Sequence, residues 1–188
     1  MQSLLRLARG IDWLNDKIGQ VVYWLSLLMV FIGVYNATVR YLGNFVGENL
    51  SSNAYLEMQW YLFGAIFMLG ASYTLRADGH VRVDILYSNL STKAKAWIDL
   101  LGTVLFLLPF CVITLWLSIN WVSFSWKIME MSSDPSGLPR YPIKTVIPVA
   151  FALLILQGIS QLIKAIGVLR GDLKSMGGDK EELEGEGL

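Results

Sequence analysis

"IGQVVYWLSLLMVFIGVYNATV", residues 18–39, runs for 22 residues without an Asp, Glu, Lys, Arg or His. A helix rises about 1.5 Å per residue, so about 20 apolar residues cross a hydrocarbon core of about 30 Å. The stretch is long enough to span a bilayer. Three further charge-free runs cover residues 58–75, 100–126 and 145–163. Together they predict an all-α membrane protein with four transmembrane helices, over residues 18–39, 58–75, 100–121 and 145–163. The third run exceeds what a span needs, so it should tilt or continue into the interface. Pro109 predicts a kink there, because its ring removes one backbone hydrogen bond. Pro148 falls near the start of the fourth span, where a missing N–H costs little. The first run is too long for a signal-peptide core and no small-residue cleavage site follows it, which predicts a retained span.

Composition agrees. Hydrophobic residues make up 54% of the 188-residue chain and charged residues 16%, against about 25% charged in a soluble domain. With 15 basic and 15 acidic residues the net charge is zero, so no overall field draws the chain to nucleic acid. The single cysteine, Cys111, can form neither an internal disulfide nor a cysteine-based metal site. It reads as a small packing residue.

Basic residues fix an orientation. Eleven of the 15 lie before the first span, between the second and third, or after the fourth. Only Arg40, Lys127, Arg140 and Lys144 lie on the opposite side. The positive-inside rule then puts both termini in the cytoplasm. Trp13, Trp24, Trp60, Trp97, Trp116, Trp121 and Trp126 fall mostly near span ends, where an amphipathic ring prefers the headgroup zone.

The first 16 residues place Leu4, Leu7, Ala8, Ile11 and Leu14 on one helical face. This predicts a short N-terminal amphipathic interfacial helix on the inner leaflet. Ser91 or Thr92 can cap a helix feeding the third span. One membrane domain is expected over residues 1–170. Residues 171–188 carry six acids and little apolar content, which predicts a disordered acidic cytoplasmic tail. In the second outer loop, "SSDPSGLPRYPIK" holds three prolines and a glycine, which exclude a long helix. Pro135, Gly137, Leu138, Pro139, Arg140, Tyr141 and Pro142 form either a rigid docking surface for a periplasmic partner or a plain connector.

What is missing narrows the function. Haem sites in four-helix membrane proteins need paired axial ligands, and the one histidine, His80, lies outside the spans. Proton-coupled carriers need an ionisable group deep in a span, and none of the four runs has one. There is no phosphate loop, nucleophile elbow or metal spacing. The sequence therefore implies no cofactor and no enzyme activity. It points to an accessory subunit.

"LRADGHVRVDIL", residues 75–86, is the densest polar patch. Arg76 ends the second span and can snorkel to phosphates. Gly79 favours a turn over residues 77–79, followed by a short interfacial segment with Val81, Val83 and Ile85 on apolar surface. Asp84 would cap that segment or pair with Arg76 or Arg82. Catalysis by His80 is the weakest of these readings.

At this point the residues resemble a known family. "EMQWYLFGAIFMLGASYTLRADGHVRVDIL", residues 57–86, is similar to the signature of the small membrane (Q-type) subunit of tripartite ATP-independent periplasmic (TRAP) transporters. "NATVRYL", residues 36–42, resembles the segment closing that family's first span. The resemblance implies a large membrane subunit carrying the substrate and sodium sites, and a periplasmic substrate-binding protein. It implies a small permease subunit that scaffolds the large one in the bacterial inner membrane and helps dock the binding protein, for uptake of an organic acid or similar solute. Asn36, Arg40, Tyr41, Glu57, Trp60, Arg76, His80, Val81, Val83 and Asp84 then become structural or subunit-interface positions. No catalytic, substrate-binding or metal residue is implied.

Small residues in the second span (Gly64, Ala65, Gly70, Ala71, Ser72) would admit a close helix, from a partner or from this chain. Two other functions compete. A redox or enzyme subunit would use His80. A self-sufficient transporter would need a polar path, for which only uncharged groups are available: Asn36, Thr38, Ser72, Thr74, Thr103, Thr114, Ser118 and Asn120.

Overall fold

A computed structural model describes residues 1–47, 51–79, 90–173 and 175. It contains four long helices. Helix α1 is Gln2–Val46 and α2 is Asn53–Arg76. Helix α3 runs continuously over Thr92–Lys127, and α4 is Tyr141–Arg170. Three of them, α1, α3 and α4, are long and apolar enough to cross a membrane. Helix α2 has 24 residues, and its run is diluted by Gln59, Ser72, Tyr73 and Thr74.

Helix α4 is the hub. It packs on α1, α2 and α3, while α1 also packs on α2. Its buried residues are mostly small or polar, among them Ala150, Gly158, Ser160, Ala165 and Gly167. Small side chains let three helices approach one axis, which is how helices associate where water supplies no driving force. Gly158 receives Leu107, Leu108 and Thr103 of α3. Gly19 of α1 receives the Tyr73 ring of α2, and a β-carbon there would lie 2.5 Å from it. Gly19→Leu should push α1 off α2 and cost about 2 kcal/mol, read as a lower melting temperature in detergent.

The small residues of α2 divide. Ala65 and Ser72 are buried and Gly70 lies 3.7 Å from Val22, so these serve packing within the chain. A β-carbon on Gly64 would meet nothing within 4 Å.

Several expectations change. The N-terminal segment is no separate interfacial helix. It is the start of the 45-residue α1, about 67 Å long. Its buried face is Ala8, Ile11, Asp12 and Asn15, whereas Leu4, Leu7 and Leu14 are exposed. Polar partners on α4, described below, outcompete leucine burial for that face. The kink expected at Pro109 takes the form of a π-helical turn, Thr103–Leu107, in which the Leu108 amide donates to the Thr103 carbonyl. A wider turn accommodates a ring that disrupts the ordinary hydrogen-bond ladder. Pro148 lies inside α4, which starts seven residues earlier with Pro142 in its first turn. The helix begins there because Pro142 needs no N–H partner at that position.

Other expectations match. Ser91 caps α3, its hydroxyl accepting from the Ala94 amide at 3.3 Å. Helix α2 ends in a turn over residues 77–79, where the Gly79 amide donates to the Thr74 carbonyl at 2.9 Å. The left-handed residue of that turn is Asp78, at φ 57°, rather than Gly79. The segment with Val81, Val83 and Ile85 and most of the tail expected over 171–188 lie outside the described residues.

Candidate functional site: polar clasps at the two ends of the bundle

Buried charge gathers at both ends of this apolar bundle. At the end holding the two termini, α1 and α4 run antiparallel and share a polar network. The Asp12 carboxylate, 3% exposed, accepts from Ser160 Oγ at 2.8 Å and from Gln157 Nε2 at 3.1 Å. It also pairs with the Lys164 ammonium. Asn15 Nδ2 donates to Gln157 Oε1 at 2.7 Å. One turn further, Asp16 pairs with Arg76 of α2 at 2.6 Å, and Gln161 Nε2 donates to the Leu75 carbonyl at 3.3 Å. Desolvating a carboxylate is tolerable only when its lone pairs are matched in this way. The network therefore fixes the register of α1, α2 and α4.

The opposite end is closed by the α3–α4 loop, residues 128–140. Its turn, Asp134–Gly137, has Pro135 second and Ser136 third at φ 59°, as a type II geometry requires. Met131 and Pro139 form an antiparallel bridge. Glu57 of α2, itself buried, reaches across and accepts from Ser132 Oγ and from the Leu138 amide, the latter at 2.5 Å. Asn53 Nδ2 donates to the Pro135 carbonyl at 3.0 Å and the Tyr61 hydroxyl to the Leu138 carbonyl at 3.4 Å. The loop is thus folded over the start of α2. Its tip, residues 133–136, is exposed, while Gly137, Leu138, Pro139, Arg140 and Tyr141 are half-buried.

A second clamp holds the loop to its own helices. Glu130 accepts from Ser125 Oγ at 2.7 Å and pairs with Lys144. The Lys144 ammonium also lies 4.2 Å from the Trp121 ring centroid. Trp126 donates to Thr145 Oγ1 at 2.8 Å. Glu57 lies just ahead of the apolar run 58–75, and the Ser132 hydroxyl, the Leu138 amide and the Arg140 charge hold its pKa below the ordinary 4.5. Lys144 and Ser125 lower that of Glu130.

The structure brings together residues that the sequence left apart. Glu57 and the loop residues Leu138 and Arg140 form one clasp. Asn36, Arg40 and Tyr41 line a groove of about 350 Å³ with Gly33, Ala37, Asn44 and Gln59. Trp60 is half-exposed and stacks edge-on with Tyr61 at 4.3 Å. Arg76 stands at the other end of the bundle, on Asp16. His80, Val81, Arg82, Val83 and Asp84 lie outside the described residues, and with them the expected pairing of Asp84 with Arg76 or Arg82. Among the described residues no group of three or more His, Cys, Asp or Glu side chains could hold a metal ion.

The Asp12–Asn15–Gln157–Ser160–Lys164 network is what sequence reasoning missed. Its signal was present as polar residues at helical spacing, Asp12, Asn15 and Asp16 on α1 and Gln157, Ser160, Gln161 and Lys164 on α4.

The arrangement locks helices and a loop. It builds no reacting centre. In comparison with known proteins, no curated protein and no solved structure matches the chain. The profile of one family, described as "Tripartite ATP-independent periplasmic transporters, DctQ component", matches residues 29–167. That match spans most of the bundle, from the middle of α1 to the last turn of α4. The chain therefore belongs to this family of small membrane components of TRAP transporters.

Proposed function

We propose that this chain is the small permease subunit of a sodium-coupled, binding-protein-dependent transporter that takes up an organic acid or similar small solute. On this reading all four helices, α2 included, cross the bacterial inner membrane, with both termini cytoplasmic. The chain scaffolds a large subunit that carries solute and sodium. The exposed tip of the α3–α4 loop helps dock the periplasmic binding protein. Asn36, Arg40, Tyr41 and Trp60 meet the large subunit along the outer half of α1 and α2, and the His80–Asp84 motif serves the same assembly.

The observation that carries the reading is the family match over residues 29–167. A physical argument supports it. A carrier needs a titratable or ligating group free to bind and release its cargo. The two buried acids among the described residues, Asp12 and Glu57, are both consumed by partners within the chain.

The test is purification and reconstitution. The chain should co-purify with a large multi-span partner and show no uptake of its own in liposomes. Solute accumulation by vesicles holding this chain alone would reject the subunit assignment.

A further inference from the structure

The first four turns of α1 carry Arg6, Arg9 and Lys17 against two acids, Asp12 and Asp16. In sequence these charges nearly offset. In the fold they do not. Asp12 is turned inward onto Lys164, and Asp16 is taken by Arg76. Arg6, Arg9 and Lys17 are exposed, and among the described residues no ion pair engages them. At about 100° per residue they share one arc with Trp13, opposite the face buried on α4 by Ala8, Ile11, Asp12 and Asn15. Trp13 is 62% exposed. The Lys17 ammonium lies 6.0 Å from its ring.

We propose that this stripe, Arg6–Arg9–Trp13–Lys17, binds the phosphate headgroups of anionic phospholipids. An exposed indole flanked by cations fits the headgroup layer, where the ring takes the interface and the cations take phosphate. Lys17 and Arg9 stand about 6 Å to either side of Trp13 along the axis, within side-chain reach of one phosphate plane. Leu4, Leu7 and Leu14 are exposed beside the stripe and can contact acyl chains. The buried network holds this face outward, so its charges are presented without an ordering cost at binding. The proposal rests on α1 crossing a membrane and not on the subunit assignment. Co-purification with a large partner, the test above, is read separately from the one below.

The full chain is reconstituted in phosphatidylcholine bilayers with a trace of spin-labelled phosphatidylglycerol or spin-labelled phosphatidylcholine. The motionally restricted fraction of each is then measured. Phosphatidylglycerol should be enriched around the protein by about fivefold, and the enrichment should fall at about 0.5 M salt. The triple variant Arg6→Gln, Arg9→Gln, Lys17→Gln should lose most of it, while Lys127→Gln at the other end of α3 should keep it. Circular dichroism checks that the variants retain their helices. No enrichment in the native chain, or full enrichment in the triple variant, overturns the proposal. Enrichment that appears only after residues 176–188 are deleted also overturns it, because the chain's own acidic tail would then be the occupant.

Discussion

Lys164→Met should destabilise the bundle by about 3 kcal/mol, the cost of leaving one member of a buried pair without its counter-charge. Asp12 would keep its bonds to Ser160 and Gln157 but would carry an uncompensated charge at 3% exposure. The double variant Asp12→Leu, Lys164→Met should recover most of the loss, since a well-packed apolar pair can replace a buried ion pair. Thermal unfolding of the detergent-solubilised protein distinguishes these outcomes. Equal melting temperatures for the native chain and Lys164→Met would mean that the pair is hydrated and contributes nothing.

Glu57→Ala should release the α3–α4 loop. Ser132 Oγ and the Leu138 amide both lose their acceptor, so the backbone around Arg140 becomes open to protease. Trypsin cleavage after Arg140 should quicken on the order of tenfold, with Glu57→Gln intermediate because it keeps an acceptor without the charge. The same contacts set a pH dependence. Both Glu57 and Glu130 have pKa values lowered by folding. Their contribution is therefore complete above the ordinary value of 4.5 and is lost as pH falls through the lower folded values. Protease protection of the loop should be flat from pH 8 to about 5 and decline in stronger acid. Protection that weakens around neutral pH would point to another group.

The helices were legible because their signal is local. A charge-free run of 22 residues has few alternatives to a spanning helix, since lipid satisfies no backbone polar group. Capping by Ser91 and the turn after Arg76 depend on residues within one helical turn, and both were read correctly. Helix ends were less legible. Helix α3 extends back to Thr92 and α4 to Tyr141, because charged residues tolerated at an interface leave no mark in a search for apolar length.

The polar clasps were legible as residues but not as partners. Glu57 stood out by opening the second run, yet its partners, Ser132 and Leu138, are 75 and 81 positions away. Asp12 looked like one solvated charge on an amphipathic helix. Hydrophobic patterning assigned the buried face to Leu4, Leu7 and Leu14, but Lys164, Ser160 and Gln157 on α4 drew the polar face inward instead.

By itself, then, the sequence determined that this chain makes long apolar helices, roughly where they run, and which family signature it carries. Backbone hydrogen bonding in hydrocarbon leaves little else for such runs to do. Only the tertiary structure decided which faces meet, that α4 is the hub, and that both acids near the start of α1 are spent internally while its cations face out. Those outcomes depend on pairings across 60 to more than 150 residues of chain, and a linear pattern of residue types carries no information about which distant partner wins.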